Sequence, residues 1–232
     1  MLTRDEMKQI AGEYAVQFVQ PGMTIGIGTG STVYYFIRAM AKKIAEGFPL
    51  SAVPTSAQTA ALAQQWQIPL IDPNGVTSID ITIDGADEIS TDLQLIKGGG
   101  GALLQEKIVA AASRQLIIIA DAEKIVQTLG KFPLPVETIP FAWTHTQRHI
   151  SDHFSCSKVI LRKKGDTVFI SDHGNYILDC YFERIENAAA LCSALNNIPG
   201  VVENGLFINM AAMAIIGRPD GTVERLKKIN RD

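Results

Sequence analysis

The chain has 232 residues, of which 47% are hydrophobic and 19% charged, enough to bury a real core in one or two domains. Lys plus Arg number 21 against 24 Asp plus Glu, and no basic run of five or more interrupts that balance, so neither nucleic acid nor an anionic membrane is indicated as a partner. Any positive charge in a functional site must therefore be local.

The opening MLTRDEMKQIAGEYAVQFV carries acids and no apolar h-region, and the run MAAMAII from Met210 is far short of a bilayer span, so a cytoplasmic protein is expected. Thr3 and Glu6 form a T-x-x-E capping box, after which Met7, Ile10, Ala11, Tyr14, Ala15 and Phe18 repeat at helical spacing until QPG stops them. A short strand, MTIGIG, precedes a second amphipathic helix marked by Val33, Phe36, Ile37, Met40, Ala41 and Ile44. The alternation continues through LSAV, a helix from about Ser56 to Trp66, IPLI, SIDITID, LQLIK, a helix from about Ala102 to Ala112, and the apolar run QLIIIAD. Such alternation predicts an α/β fold with a mostly parallel, Rossmann-like sheet covered by helices on both faces, its ligand crevice at the carboxyl ends of the strands.

Around LGKFPLPVETIP the prolines break this rhythm. PVETI, a helix near Thr144 to His153, SKVILRK, DTVFIS to YILDCYF, a helix near Ala188 to Leu195, and VVENGLF then read β-α-β-β-α-β, a split-βαβ, ferredoxin-like pattern. MAAMAIIG and TVERLKK around a PDG turn predict two strands that return to the first sheet. The expected organisation is an α/β core over 1–130, an inserted smaller α+β domain over 131–207, and a return to the core over 208–232. Cys156, Cys180 and Cys192 are odd in number and form no CxxC pair, so free thiols are expected.

Three glycine turns carry the chemistry. GIGTGST, Gly26 to Thr32, lies between a strand and a helix, where unpaired N–H groups and the helix dipole favour an anion, with Ser31 and Thr32 adding hydroxyls. A dinucleotide fingerprint would need glycine at position 31, and Walker A would need G-K-[ST], so a small phosphate or carboxylate is the functional reading; a plain tight turn with an N-cap serine is the alternative. TIDGADEI gathers Asp84, Asp87 and Glu88 on one loop, where they repel unless a cation or a hydroxyl-rich ligand such as a sugar joins them; solvated acids on an Asp-Gly turn are the alternative. In IKGGGGALLQEKI, Lys97 closes a strand, the glycines let a ligand approach backbone, and Glu106 enters the first turns of a helix, where partial desolvation would make it a usable base. A surface Glu106 paired with Lys107 or Arg114 is the bland alternative. Together the loops offer an anion cradle, carboxylates, a lysine and a base without a metal-ligand set or a cofactor fingerprint, the inventory for proton transfer beside a carbonyl, as in phosphosugar isomerisation.

GIGTGST, DGADEI, LIKGGGGAL-QEKI, IAD-EK, LGKFPLPVE-IP and IPGVVENGLF stand in an order and spacing that resemble the A-type ribose-5-phosphate isomerases over nearly the whole chain. The resemblance implies interconversion of ribose 5-phosphate and ribulose 5-phosphate in the pentose phosphate pathway, without metal or organic cofactor, by an α/β core carrying a smaller domain, assembled as a homodimer or homotetramer. It implies that Thr29, Gly30, Ser31 and Thr32 grip phosphate and sugar, with Lys8 near the phosphate. Asp84, Gly85, Ala86 and Asp87 would form the sugar-contacting loop, with Asp84 assisting the hydroxyl proton transfer that opens the ring; Lys97, Gly98, Gly99 and Gly100 would line the reacting end, Lys97 and the glycine amides stabilising the enediolate charge, Glu106 would accept the proton, and Lys124 would contact substrate. Gly101 and Gln105 replace residues that are more often Ala and Arg in the family. An acyl-transfer enzyme of the CoA transferase type, with glutamate as nucleophile, and a non-catalytic sugar-phosphate sensor are the alternative functions for such a fold. His145, His149 and His153 at i, i+4, i+8 could share a helix face and bind a metal, but no cysteine or acid completes a shell, and a solvated face is expected. His173 in SDHGN reads as a hairpin-turn residue.

Overall fold

The structure, a computed structural model, describes residues 1–227; residues 228–232, the end of the segment expected to return to the core, lie outside the described residues. Helix α1 (Arg4–Ala15) starts on the expected capping box, with the Thr3 hydroxyl accepting the Glu6 N–H and the Glu6 carboxylate accepting the Thr3 N–H. Its expected last turn tightens into a 3₁₀ turn, Val16–Phe18. There follow β1 (Thr24–Ile27), α2 (Ser31–Ala45), β2 (Ser51–Pro54), α3 (Ala57–Gln65), β3 (Ile81–Asp84), β4 (Glu88–Ser90), β5 (Leu95–Ile96), α4 (Leu103–Ala111), β6 (Leu116–Asp121) and β7 (Ile125–Val126). The later part contributes β8 (Leu134–Thr138), α5 (Trp143–His153), β9 (Lys158–Leu161), β10 (Lys163–Lys164), β11 (Thr167–Val168), β12 (Tyr176–Tyr181), α6 (Ala188–Asn196), β13 (Val201–Asn204), β14 (Leu206–Phe207), β15 (Ala211–Gly217) and β16 (Val223–Lys227).

The main sheet runs β16-β15-β6-β3-β1-β2, parallel throughout except for the edge strand β16, which returns antiparallel to β15 around the PDG turn. Every residue of β6 is buried, as a strand covered on both faces must be. On one face Ala11 and Ala15 of α1 and Val33, Phe36 and Ile37 of α2 pack with Ile117, Ile119 and Ile215. On the other, Ala110 of α4 packs with Leu116 and Ile118. The neighbours β1 and β3 lead to connections in opposite directions, so the crevice of the sheet opens where Gly28 and Asp84 leave it.

A second, wholly antiparallel sheet runs β13-β8-β12-β9 with α5 and α6 between its strands, the order expected of a β-α-β-β-α-β unit. Ile150 and Leu195 of its helices pack with Leu134, Val136, Leu178 and Cys180 of its strands.

Several expected strands differ: SKVILRK breaks at Arg162 into β9 and β10, and of DTVFIS only Thr167–Val168 forms a strand, β11, paired with β10 in a two-stranded sheet of its own. IPLI makes one parallel bridge, Leu70 to Ala52, because Pro69 has no N–H with which to continue a ladder. LQLIK joins a small separate sheet, β14-β5-β4-β7, rather than the main one. VVENGLF splits at Gly205, whose Cα lies so close to the Lys97 carbonyl and Pro135 that a Cβ would not fit. Among the described residues no helix is long and apolar enough to cross a membrane.

Candidate active site

The three glycine turns meet at the carboxyl ends of β1 and β3. Gly28 follows β1, and a side chain there would occupy the place of the Asp84 carboxylate. Asp84 Oδ1 accepts the N–H groups of Thr29 (3.1 Å) and Gly85 (2.7 Å), and its Oδ2 lies 2.9 Å from Lys97 Nζ. Lys97 Nζ also reaches Glu106 Oε1 at 3.1 Å and donates to the Gly85 carbonyl at 2.6 Å. Asp84, Lys97 and Glu106 are 0%, 2% and 4% exposed. The cation that the clustered acids require is thus Lys97, and Glu106 pairs with it rather than with Lys107, which turns away to Glu203 (2.9 Å) and the Asn204 carbonyl (2.6 Å).

This buried triad sets the protonation pattern. Burial, reinforced by the Asp84 charge and opposed by the Lys97 ammonium, pushes Glu106 up to about 8. Burial acts to lower Lys97, but the Asp84 and Glu106 carboxylates outweigh it and hold the lysine above its ordinary range, fully charged. One Glu106 oxygen is occupied by Lys97; the other, Oε2, is buried and has no hydrogen-bond partner among the described residues. A carboxyl near neutrality with one anchored oxygen and one uncommitted oxygen is built to take and return a proton.

A single cleft is lined by Lys8, Thr29, Gly30, Ser31, Thr32, Gly85, Ala86, Asp87, Lys97, Gly98, Gly99, Gly100, Glu106 and Lys124, with Arg4 at the same wall. Every expected site residue except Asp84 lines it. Asp84 stands behind Lys97 as its counter-ion, whereas half-buried Asp87 faces the cleft and accepts the Gly99 N–H at 2.7 Å. Glu88 leaves the group altogether: it is buried and accepts the N–H groups of Gly130 (2.7 Å) and Phe132 (2.6 Å).

At the other end, Gly30, with φ of +121°, caps α2, so Ser31 is the first helical residue rather than the N-cap. Lys8, Lys124 and Arg4 line the same cleft as this helix start, a cationic setting for a phosphate, with Arg4 also paired to Asp121 at 3.3 Å and Glu123 at 3.6 Å. The Thr29 hydroxyl is committed elsewhere, to Thr55 (2.8 Å), Ser56 (2.8 Å) and Thr59 (3.0 Å). Arg4 escapes a reading by motif, although its i, i+4 spacing to Lys8 on one helix face was a signal. The two family departures are accommodated locally: at Gly101, with φ of +82°, any side chain would strike the Phe169 ring, and Gln105 meets His173 at 3.2 Å.

His145, His149 and His153 are exposed on α5, the last two stacked 4.2 Å apart. Among the described residues no group of three or more His, Cys, Asp or Glu side chains is arranged to hold a metal ion. All three cysteines are free.

Residues 51–221 match the family model described as Ribose 5-phosphate isomerase A (phosphoriboisomerase A). A relative from Bacillus cereus (strain ATCC 10987 / NRS 248), named ribose-5-phosphate isomerase A, is 56% identical over 219 residues, 94% of this chain and 99% of its own. A solved D-ribose-5-phosphate isomerase in complex with phospho-erythronic acid is 39% identical and superimposes with a TM-score of 0.93 over 97% of this chain and 100% of the other. Ribose 5-phosphate isomerase A from Neisseria gonorrhoeae is 40% identical, with a TM-score of 0.91 over 99% of this chain and 100% of that one. The acyl-transfer and sensor alternatives are not favoured. With the family's sequence matched over most of its length and the fold shared from end to end with solved members, the chain belongs to the ribose 5-phosphate isomerase A family.

Proposed function

We propose that the protein interconverts D-ribose 5-phosphate and D-ribulose 5-phosphate through a cis-enediolate, and that Glu106 carries the proton between C2 and C1. The observation that carries this reading is the buried Glu106 held near pH 8 with a free oxygen beside the fully charged Lys97. In the forward direction the Glu106 carboxylate takes the C2 proton, the C2–H electron pair forms the C1–C2 double bond, and the carbonyl oxygen gains the negative charge. Lys97 and the amides of the glycine loop face that charge in a dry site, where fixed donors stabilise it most. The C2 hydroxyl proton passes to the C1 oxygen, and as Glu106 returns its proton to C1 the C1–C2 π pair forms the new C–H bond, leaving a hydroxymethyl at C1 and the ketone at C2.

Asp87, on the cleft wall, is better placed than Asp84 to exchange a ring hydroxyl proton as the sugar opens; Asp84 keeps Lys97 charged and in position. The phosphate sits at the start of α2 among Ser31, Thr32, Lys8, Lys124 and Arg4, where its binding energy orients the distant reacting carbons. Residues 131–207 form an inserted unit that touches the glycine loop through Arg162, the protein works in the cytoplasm, and its assembled form is a homodimer or homotetramer.

Ribose 5-phosphate incubated with the pure protein in D₂O with a chelator, followed by NMR, tests the reaction and its metal independence together. Ribulose 5-phosphate is the expected product, with deuterium at C1 in those turnovers in which the proton on Glu106 exchanges with solvent before it is returned. An unchanged, unlabelled pentose phosphate overturns the reading.

A further inference from the structure

Arg162 lies 64 residues beyond the glycine loop in sequence yet is in direct contact with it. Its main chain is pinned on both sides, the N–H donating to the Ile177 carbonyl at 2.8 Å and the carbonyl accepting the Phe169 N–H at 2.9 Å. The guanidinium grips Asp179 of β12 with Nε at 3.0 Å and Nη2 at 2.5 Å, a fork-on-fork pairing that fixes its plane. The remaining arm, Nη1, donates to the carbonyls of Gly98 at 2.7 Å and Gly99 at 3.2 Å.

Those two contacts, together with the Gly101 N–H that also donates to the Gly98 carbonyl at 3.0 Å, set which way the loop's amides point. A trans peptide sets its C=O and the following N–H on opposite sides, and the described chain has no cis peptide. With the Gly98 carbonyl drawn to Arg162, the Gly99 N–H points the other way, and it is there that it meets Asp87 at 2.7 Å. With the Gly99 carbonyl also drawn to Arg162, the Gly100 N–H must likewise face away from it. Gly100 lines the cleft, and among the described residues that N–H has no partner. A cation bonded to the carbonyl of the same peptide also polarises its N–H, making it a stronger donor.

We infer that Arg162 is a positioning residue for the isomerisation: by clamping the Gly98 and Gly99 carbonyls it aims the Gly100 amide at the oxygen that becomes negative in the enediolate. This rests on the isomerase reading above. Asp179 is the anchor of the clamp, and the glycines leave the peptides free to take the orientation that Arg162 imposes.

The test compares wild type, Arg162→Met and Arg162→Lys for kcat, KM, thermal unfolding and the inhibition constant of phospho-erythronate, the acid bound by one solved relative, whose planar carboxylate imitates the trigonal reacting end. Arg162→Met is expected to lower kcat by about 10- to 100-fold, to weaken phospho-erythronate in parallel, and to leave KM within about threefold, since the phosphate grip is untouched. Arg162→Lys, which keeps the charge and loses the fork, recovers part of that loss. A folded Arg162→Met with wild-type kcat and inhibitor affinity overturns the inference. If Arg162→Met does not fold, Arg162→Lys decides: a reduced kcat at unchanged KM supports the clamp, and full activity overturns it. An inactive wild type would instead overturn the isomerase reading, and the clamp with it.

Discussion

Raising a carboxyl to about 8 has two consequences that oppose one another. As a base, Glu106 must be ionised, so kcat/KM should climb with pH through that value. As a buried group it resists ionisation. Because its folded value exceeds the ordinary 4.5, the stability it contributes is complete below that ordinary value and is lost as pH rises through about 8. Glu106→Gln keeps the shape, leaves Lys97 its Asp84 partner and removes the titration. It should lower kcat by about 10²–10⁴ with a smaller change in substrate affinity. The same variant should unfold at a higher temperature than wild type at pH 9 and lose that advantage at pH 5, the gap being about 2–4 °C for each kcal/mol relieved. Near-normal turnover would remove Glu106 as the proton carrier; a stability gap independent of pH would remove the ionisation argument.

The turn after β1 works by close approach. Gly28 leaves the space that the Asp84 carboxylate fills, and Asp84 in turn holds the Lys97 ammonium. Gly28→Ala should therefore destabilise the protein by about 1–3 kcal/mol through overpacking, measurable by urea unfolding, and lower kcat more than it changes KM. A variant with wild-type stability would show that the Asp84–Lys97 pair tolerates displacement. Elements with a clear period were legible in the sequence: the capping box of α1, the apolar stripe of α2, the continuous run of β6 and the βαββαβ order of the later part all follow from local spacing. Glu106, Lys97 and the α2 start were legible because glycine turns between strands and helices mark where ligands come. What escaped depends on residues far apart. Two-residue β5 carries no register signal of its own, and its partners come from β4 and β14. Glu88 looks like its acidic neighbours until Gly130 and Phe132, 42 and 44 residues later, claim it. Arg162 has no local pattern at all.

Across the whole molecule, the later part of the chain is tied to the core at several separate points. Glu88 holds the segment leading into β8, Lys107 of α4 holds Glu203 of β13, and Asp172 accepts the Ala57 N–H at the start of α3 at 2.8 Å. Glu88→Ala leaves two N–H groups without their acceptor, at a cost of about 1–3 kcal/mol for each that stays buried. Urea unfolding should register that loss, with limited proteolysis near residues 127–132 accelerated; an unchanged midpoint would show that this anchor is redundant. Strand order has a further bearing on biosynthesis. Because β15 flanks β6, a nascent polypeptide leaving the ribosome carries Lys97, Glu106 and Arg162 long before the neighbour of its most apolar strand has been translated. Until Ala211–Gly217 emerges, one edge of β6 offers unpaired backbone to any other molecule it meets. The emergence of β15 therefore decides between self-closure and aggregation.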